Sequence, residues 1–238
     1  MEQHDAKEAE QLLLNAILDT AYPFSVGDKA YRLYPVTLGK ELLLKPLLDA
    51  AGLLPAMDGE MLAFACMNAA RGKRNASLRI VALNTLGSRS DLQDEAVVTG
   101  RMAELGMELE EDGLASLLLI CMREMLKTED LMKITGIGRD RERMRSVQKV
   151  KKNSPNTVSF GGVSVYGRLL DVACERYAWS MQYVLWGISS ANLQLMLADQ
   201  LTSLYLSDEE LNAIDGDDET IDGDDPSNRQ RLHEMINN

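Results

Sequence analysis

The segment Leu114–Leu126 is apolar on nearly every side of a helix, and it limits the architectures open to this chain. Leu114, Leu118 and Cys121 recur at helical spacing, and further apolar residues fill the remaining faces. A helix that is hydrophobic all round must be covered on several sides by other elements. The segment therefore predicts the central helix of a multi-helix bundle.

Amphipathic patterns in much of the rest of the sequence also predict helices. The main ones are expected over residues 5–19, from Leu38 onward with a break or kink at Pro46, over Arg168–Trp186, and from Ser189 or Ser190 to Leu206. The break follows from proline, which removes a backbone donor and clashes with the preceding turn. Gly187 is expected to separate the last two helices.

Two extended segments interrupt the helical pattern. One runs through residues 24–36 around the turn Gly27-Asp28-Lys29, and the other runs through Val158–Val165 around Gly161-Gly162. Short β-prone segments on either side of glycine-containing turns favour β-hairpins. The predicted fold is therefore mainly α, a multi-helix bundle with one or two short β-hairpins and a disordered acidic C-terminal tail.

The charge distribution divides the chain into regions. Residues 139–155 carry seven basic residues against two acidic ones, whereas residues 207–225 hold ten acidic residues and no basic one. This C-terminal tail is acidic and repetitive, and such a segment buries too little apolar surface to offset the entropy lost on ordering. Disorder is therefore expected. The predicted regions are an N-terminal helical region at 1–134, a basic linker at 135–157, a C-terminal hairpin and two-helix region at 158–212, and an acidic tail at 213–238.

The net charge of −12 argues against a general nucleic-acid or anionic-membrane binder, because phosphate attracts Lys and Arg. The three cysteines, Cys66, Cys121 and Cys174, each stand alone in an apolar stretch and are expected to be structural thiols in a reducing cytoplasm. The first residues are polar and acidic and do not resemble a signal peptide, and no apolar run reaches the length of a membrane span. A cytoplasmic location is expected.

The sequence predicts no enzymatic activity, no cofactor and no metal site. The only histidines, His4 and His233, lie in the terminal segments, so the usual general base is missing. The acidic tail fails as a calcium loop: counted from Asp215, position six is Thr220 instead of glycine, and position twelve is Pro226 instead of glutamate. The basic run 139–152 has no interleaved aromatic residues that would stack on bases.

Aromatic residues make up only 5% of the chain, yet six of them fall between Tyr166 and Tyr205. Trp and Tyr dominate protein interfaces because they bury large areas with few rotatable bonds, but they also build cores. Both interpretations stay open at this point. At helical spacing, Trp179, Tyr183 and Trp186 would share one side of a helix. The residues predicted to bind another protein are Tyr177, Trp179, Met181, Tyr183, Trp186, Leu193 and Met196.

The C-terminal half resembles tail assembly chaperones of phages and prophages of Bacteroidetes-type hosts. The resemblance covers mainly residues 158–210, and its motifs are the Gly-Gly turn followed by YGRLLD, ERYAW, YVLWGIS and NLQLMLAD. The earlier segment YRLYPVTLGKELLL is similar to the start of such proteins. No catalytic motif accompanies the resemblance.

The resemblance implies a non-catalytic chaperone in the bacterial host cytoplasm. Its partner would be the tape measure protein, a long helical protein that must be held until tail-tube subunits polymerise round it. Such chaperones often form homo-oligomers. Two alternatives stay open: a virion structural or connector protein, and a small helical adaptor or regulator that uses the basic run 139–152 on nucleic acid.

Overall fold

The structure, a computed structural model, describes residues 11–54, 59–150 and 164–199. Helices dominate these residues, which confirms the mainly α fold class. The helices are α1 over residues 11–17, α2 Leu38–Ala51, α3 Gly59–Gly72, α4 Arg74–Asn84, α5 Arg89–Gln93, α6 Glu95–Glu108, α7 Glu111–Ile134, α8 Ile137–Val150, α9 Val165–Tyr177, α10 Met181–Trp186 and α11 Ser190–Ala198. No helix in this part of the chain is long and apolar enough to cross a membrane.

The chain divides into two compact units. The first contains Met1–Gly138 and Gly161–Gln200, and the second contains Arg139–Phe160 and Leu201–Asn238. The helices of the predicted N-terminal region and α9–α11 of the predicted C-terminal region therefore share one unit. In the second unit, the described residues are those of α8 from Arg139 to Val150. The predicted acidic tail lies outside the described residues.

A single antiparallel hairpin occurs within the described residues, formed by β1 (Tyr22–Val26) and β2 (Lys29–Leu33). Its two-residue turn is Gly27-Asp28, and Gly27 has a φ of +56°, where an L side chain would be strained. This confirms the first predicted hairpin. The second, around Gly161-Gly162, falls outside the described residues.

The helix α7 is the centre of the main core. Leu114, Leu118, Cys121 and Met122 are almost completely buried, and α7 packs against α3 and α4. Residues from the hairpin, α2 and α6 complete the same apolar cluster. The prediction of a central helix from its all-round apolar pattern is confirmed.

Lys40 of α2 is the largest charged side chain in this interior, with 2% of its surface exposed. Its Nζ donates to the carbonyl oxygens of Tyr34 and Pro35, each 3.4 Å away. Burial lowers the pKa of Lys40 to about 8, because a charged ammonium loses its hydration there. Burial has the opposite consequence for the nearby thiol and raises the pKa of Cys121 to about 12.

The helix is not interrupted at Pro46, so a break at this residue is wrong: α2 runs through Pro46 as one helix from Leu38 to Ala51. Proline leaves the carbonyl of Leu42 without its usual donor. Both residues lie on the exposed side of α2, where water can satisfy that carbonyl.

The predicted single helix over Arg168–Trp186 is also wrong. α9 ends at Tyr177, Ala178 adopts the left-handed conformation with a φ of +52°, and α10 begins at Met181. The hydroxyl of Ser180 accepts a hydrogen bond from the backbone N–H of Tyr183 at 3.2 Å, which caps the new helix. Trp179 therefore lies between two helices and does not share a helix face with Tyr183 and Trp186.

Candidate protein-binding groove

α1 is held in place by a small buried face. Ala16 is fully buried in an apolar cluster with Leu131 of α7 and Ala191 of α11. Because Ala16 and Ala191 are both small, the backbones of α1 and α11 can approach each other closely. The half-buried residues that surround this contact are Leu12, Leu13 and Leu195.

Asn192 of α11 closes the C-terminal end of α1. Its Nδ2 donates to the carbonyl of Ala16 at 2.9 Å and to Oδ1 of Asp19 at 3.1 Å. The last carbonyls of a helix have no partner within the helix, so this amide takes the place of the missing donor. Asp19 has a φ of +49°, which ends the helical path, and the backbone N–H of Ser189 donates to its Oδ2 at 3.4 Å. These bonds fix the loop after α1 against the start of α11.

Three aromatic rings form a cluster at the junction of α9 and α10. Tyr177 and Trp179 stack with their ring centroids 4.7 Å apart, and Trp179 meets Tyr183 edge-on at 5.0 Å. These separations suit the attractive geometries of aromatic pairs. The hydroxyl of Tyr177 donates to the carbonyl of Met196 at 3.0 Å, so the cluster is tied to the end of α11.

These contacts surround an open apolar groove of about 520 Å³, called here the α1–α11 groove. Its apolar lining comes from α1, the first residue of α8, α10, α11 and the segments beside α10, and consists of Leu13, Ile17, Ile137, Trp179, Tyr183, Ile188, Leu195 and Met196. The volume falls in the range of ordinary binding sites, and the groove is open to solvent.

The walls of the groove expose more apolar surface than the packing of a single chain requires. Ile17 is 58% exposed, and Tyr183 and Met196 are also exposed. Leu14 of α1 and Leu18, which directly follows α1, are exposed as well. Contiguous exposed apolar surface is uncommon on a monomeric protein and marks sites of protein contact. The groove is therefore the best candidate for a binding site among the described residues.

The polar groups at the groove are mainly carboxylates and amides. Asp19 and Asp199 both line it, together with Thr135 and Asn192. Within residues 11–54, 59–150 and 164–199, no group of three or more His, Cys, Asp or Glu side chains could hold a metal ion. The arrangement offers burial of apolar side chains, with negative charge at the edge for a partner that carries Lys or Arg.

The structure brings together three of the residues predicted to bind a protein, because Trp179, Tyr183 and Met196 all line the groove. Tyr177 supports the groove through its stack on Trp179 and its hydrogen bond to α11. Met181 of α10 is 57% exposed but does not belong to the groove lining.

Trp186 and Leu193 are engaged in internal packing instead. Leu193 is 1% exposed. The ring of Trp186 lies so close to Gly39 of α2 that a Cβ on Gly39 would be 2.7 Å from it. The guanidinium of Arg89 also lies over the Trp186 ring, 5.8 Å from its centroid. Trp186 thus fastens α10 to α2.

Sequence analysis missed the contribution of α1 and of Ile137 to the groove. The available signal was that Leu14 and Leu18 lie outside the apolar face of the helix predicted over residues 5–19, so that helix is more apolar than one buried face needs. No comparable signal pointed to Ile137, which reaches the groove only through the fold.

Comparison of the chain with protein-family models finds no match, and neither do comparisons with curated proteins and with solved structures.

Proposed function

We propose that the protein is a tail assembly chaperone that binds the tape measure protein during the assembly of a phage tail and carries out no catalysis. The observation that carries the proposal is the α1–α11 groove, an open apolar groove with exposed side chains on its walls. The resemblance of residues 158–210 to tail assembly chaperones supports the same partner.

The geometry of the groove suits a helical partner. An amphipathic helix enters an apolar groove with anchors spaced three and four residues apart. Full burial of one large aliphatic side chain contributes about 1.5–3 kcal/mol. Two or three such anchors, after the loss of translational freedom on association, give the weak and reversible binding that an assembly chaperone needs.

The charge of the chain supports the proposal as well. A net charge of −12 keeps the protein and an attached aggregation-prone partner in solution through mutual repulsion. Asp19 and Asp199 at the groove favour a partner helix with basic residues beside its apolar stripe.

The proposal is tested by co-expression of the chain with the candidate tape measure protein, which we expect to be the product of a long reading frame next to its gene. The double variant Ile17→Glu, Met196→Glu places two charges on exposed positions of the groove. We expect the tape measure protein to be recovered in the insoluble fraction with this variant and to co-purify with the unmodified chain. Carboxylates inside an apolar interface carry a large desolvation penalty, which is the physical reason.

The matched control is Met61→Glu, Met107→Glu, which introduces the same two charges at exposed apolar positions outside the groove. It should retain the partner. Equal recovery of soluble tape measure protein with both double variants would contradict the proposal. Finding the protein in stoichiometric amount in finished tails would instead favour a virion structural protein.

A further inference from the structure

α8 presents two exposed arginines on one face. Arg139 and Arg143 are one turn apart and share this face, whereas Arg145, two residues after Arg143, is exposed on the opposite side of the helix. Among the described residues, neither Arg139 nor Arg143 has an ion-pair or hydrogen-bond partner for its guanidinium group. Two like charges one turn apart repel each other within a screening length of about 10 Å, so the surface favours an anionic occupant. Arg139 and Arg143 are called the arginine face.

We propose that the acidic segment of the same chain, residues 208–225, docks on the arginine face of α8. This segment contains ten Asp or Glu and no Lys or Arg, and it is the densest run of negative charge in the sequence. A complementary charge is the first requirement of an occupant here, and a tethered segment meets it at a high effective concentration.

The length of the segment fits the helix. Residues 208–225, when extended, reach up to about 60 Å, whereas the 14-residue helix α8 is about 21 Å long. The segment can therefore follow the whole arginine face.

The docked segment gives a reason for a basic helix in a chain of net charge −12. Exposed arginines attract nucleic-acid phosphates without regard to sequence. The acidic segment neutralises them and competes with phosphate for the same guanidinium groups. This inference is independent of the proposed chaperone function, since neither the α1–α11 groove nor its partner enters it.

The experiment places a nitroxide spin label on the full chain, at a cysteine that replaces the exposed Ser146, with the half-buried Cys174 changed to Ser. At about 0.1 M salt, we expect the NMR signals of residues 208–225 to lose most of their intensity, and to regain it near 1 M salt, where the screening length is about 3 Å.

Charge reversal provides the matched comparison. Arg139→Glu, Arg143→Glu should abolish the loss of signal, whereas Arg32→Glu, Arg123→Glu, which makes the same charge change at exposed arginines of the first unit, should not. Unaffected signals with the label at position 146, or a loss that survives both 1 M salt and reversal of the arginine face, would overturn the inference. A short DNA duplex that binds the full chain at about 0.1 M salt as tightly as it binds a chain lacking residues 208–225 would show that the segment leaves the arginine face open, which would also overturn the inference.

Discussion

The first half of α7 and the short helices α1 and α10 are similarly rich in apolar residues, but the fold treats them differently. Around α7, Leu114, Leu118 and Met122 are sealed by neighbouring helices. On α1 and α10, Ile17 and Met181 each keep more than half of their surface exposed.

This difference distinguishes two roles that an apolar residue can have in the protein. The apolar side chains of α7 are accounted for by the stability of the chain itself, because their removal would leave cavities. Those of α1 and α10 contribute little to the folded chain where they are exposed, so their surface is available to another molecule. The two regions should therefore respond in opposite ways to substitution: one in stability and the other in binding.

The largest effect is expected from Leu118→Ala in the sealed region. Leu118 is fully buried, so its truncation should lower the free energy of unfolding by about 2–5 kcal/mol, from lost burial and the cavity that remains. Urea denaturation measures this change. A loss below about 1 kcal/mol would mean that the core around α7 collapses easily and is less tightly packed than the contacts indicate.

The contact between α10 and α2, a helix that contributes to the same core cluster as α7, is tested by Gly39→Ala. The new Cβ would lie 2.7 Å from the Trp186 ring and should displace α10, with a loss of about 1–3 kcal/mol in the free energy of unfolding. Gly100 of α6 is the control, because nothing lies within 4 Å of a Cβ there. Gly100→Ala should stabilise the protein by about 0.5–1 kcal/mol through its higher helix propensity. A destabilisation of the same size at both positions would argue against the contact with Trp186.

Because the ammonium of Lys40 is buried, we expect it to make the free energy of unfolding depend on pH. Lys40→Met should be more stable than the unmodified chain at pH 7, because burial of the charge disfavours the folded state. The folded lysine loses its proton as the pH rises through its pKa of about 8, while the unfolded lysine keeps its proton up to 10.5, so the penalty is then relieved. The difference in the free energy of unfolding between Lys40→Met and the unmodified chain should shrink by about 1 kcal/mol between pH 8 and pH 9.

Two buried thiols change the free energy of unfolding in the opposite direction as the pH rises. Burial raises the pKa of Cys66 to about 11 and that of Cys121 to about 12, so stability falls as unfolded thiols ionise above pH 9. The charge of Lys40 lowers the pKa of Cys121, but this buried thiol stays protonated in the folded chain between pH 8 and pH 9 with or without Lys40. The contribution of the two thiols is therefore common to both proteins in this range, and the difference between the two proteins isolates Lys40. Lys45→Met, at an exposed position of the same helix, should show no such change in the difference. The same pH trend for both variants would refute the assignment.

The smallest effect on stability is expected in the exposed region. Ile17→Ser should change the free energy of unfolding by less than about 0.5 kcal/mol, since the side chain is mostly exposed. Met107→Ser is the reference, because Met107 is 76% exposed and lies outside the groove. Both can be followed by urea denaturation. A loss at Ile17 comparable to that of Leu118→Ala would place Ile17 in the core and remove the contrast between the regions.

Local features of the fold could be predicted from the sequence. The central helix followed from an apolar pattern that covers every side of Leu114–Leu126, and the hairpin followed from the glycine turn at Gly27. The cap of α11 at Ser189 was also among the two serines expected, and its hydroxyl accepts from the N–H of Asn192 at 3.2 Å. These features depend on neighbouring residues, whose preferences add up along a short segment.

The groove could be predicted only in part. The aromatic content of the C-terminal helices indicated a binding region, but it could not distinguish Trp179, which lines the groove, from Trp186, which packs on Gly39. The break between α9 and α10 changed the directions of these rings. In hindsight, Ser180 before an apolar run was a local signal for a new helix start.

The sequence by itself determined that the chain is mainly helical, which helix lies at the centre and where the hairpin turns, because periodicity and turn chemistry act over a few residues. Only the tertiary structure decided which apolar residues remain open. The amide of Asn192 caps α1 across 176 positions of sequence, and that contact places Ile17 beside Tyr183 and Met196. Exposure depends on what covers a residue, and the covering residues come from distant parts of the chain.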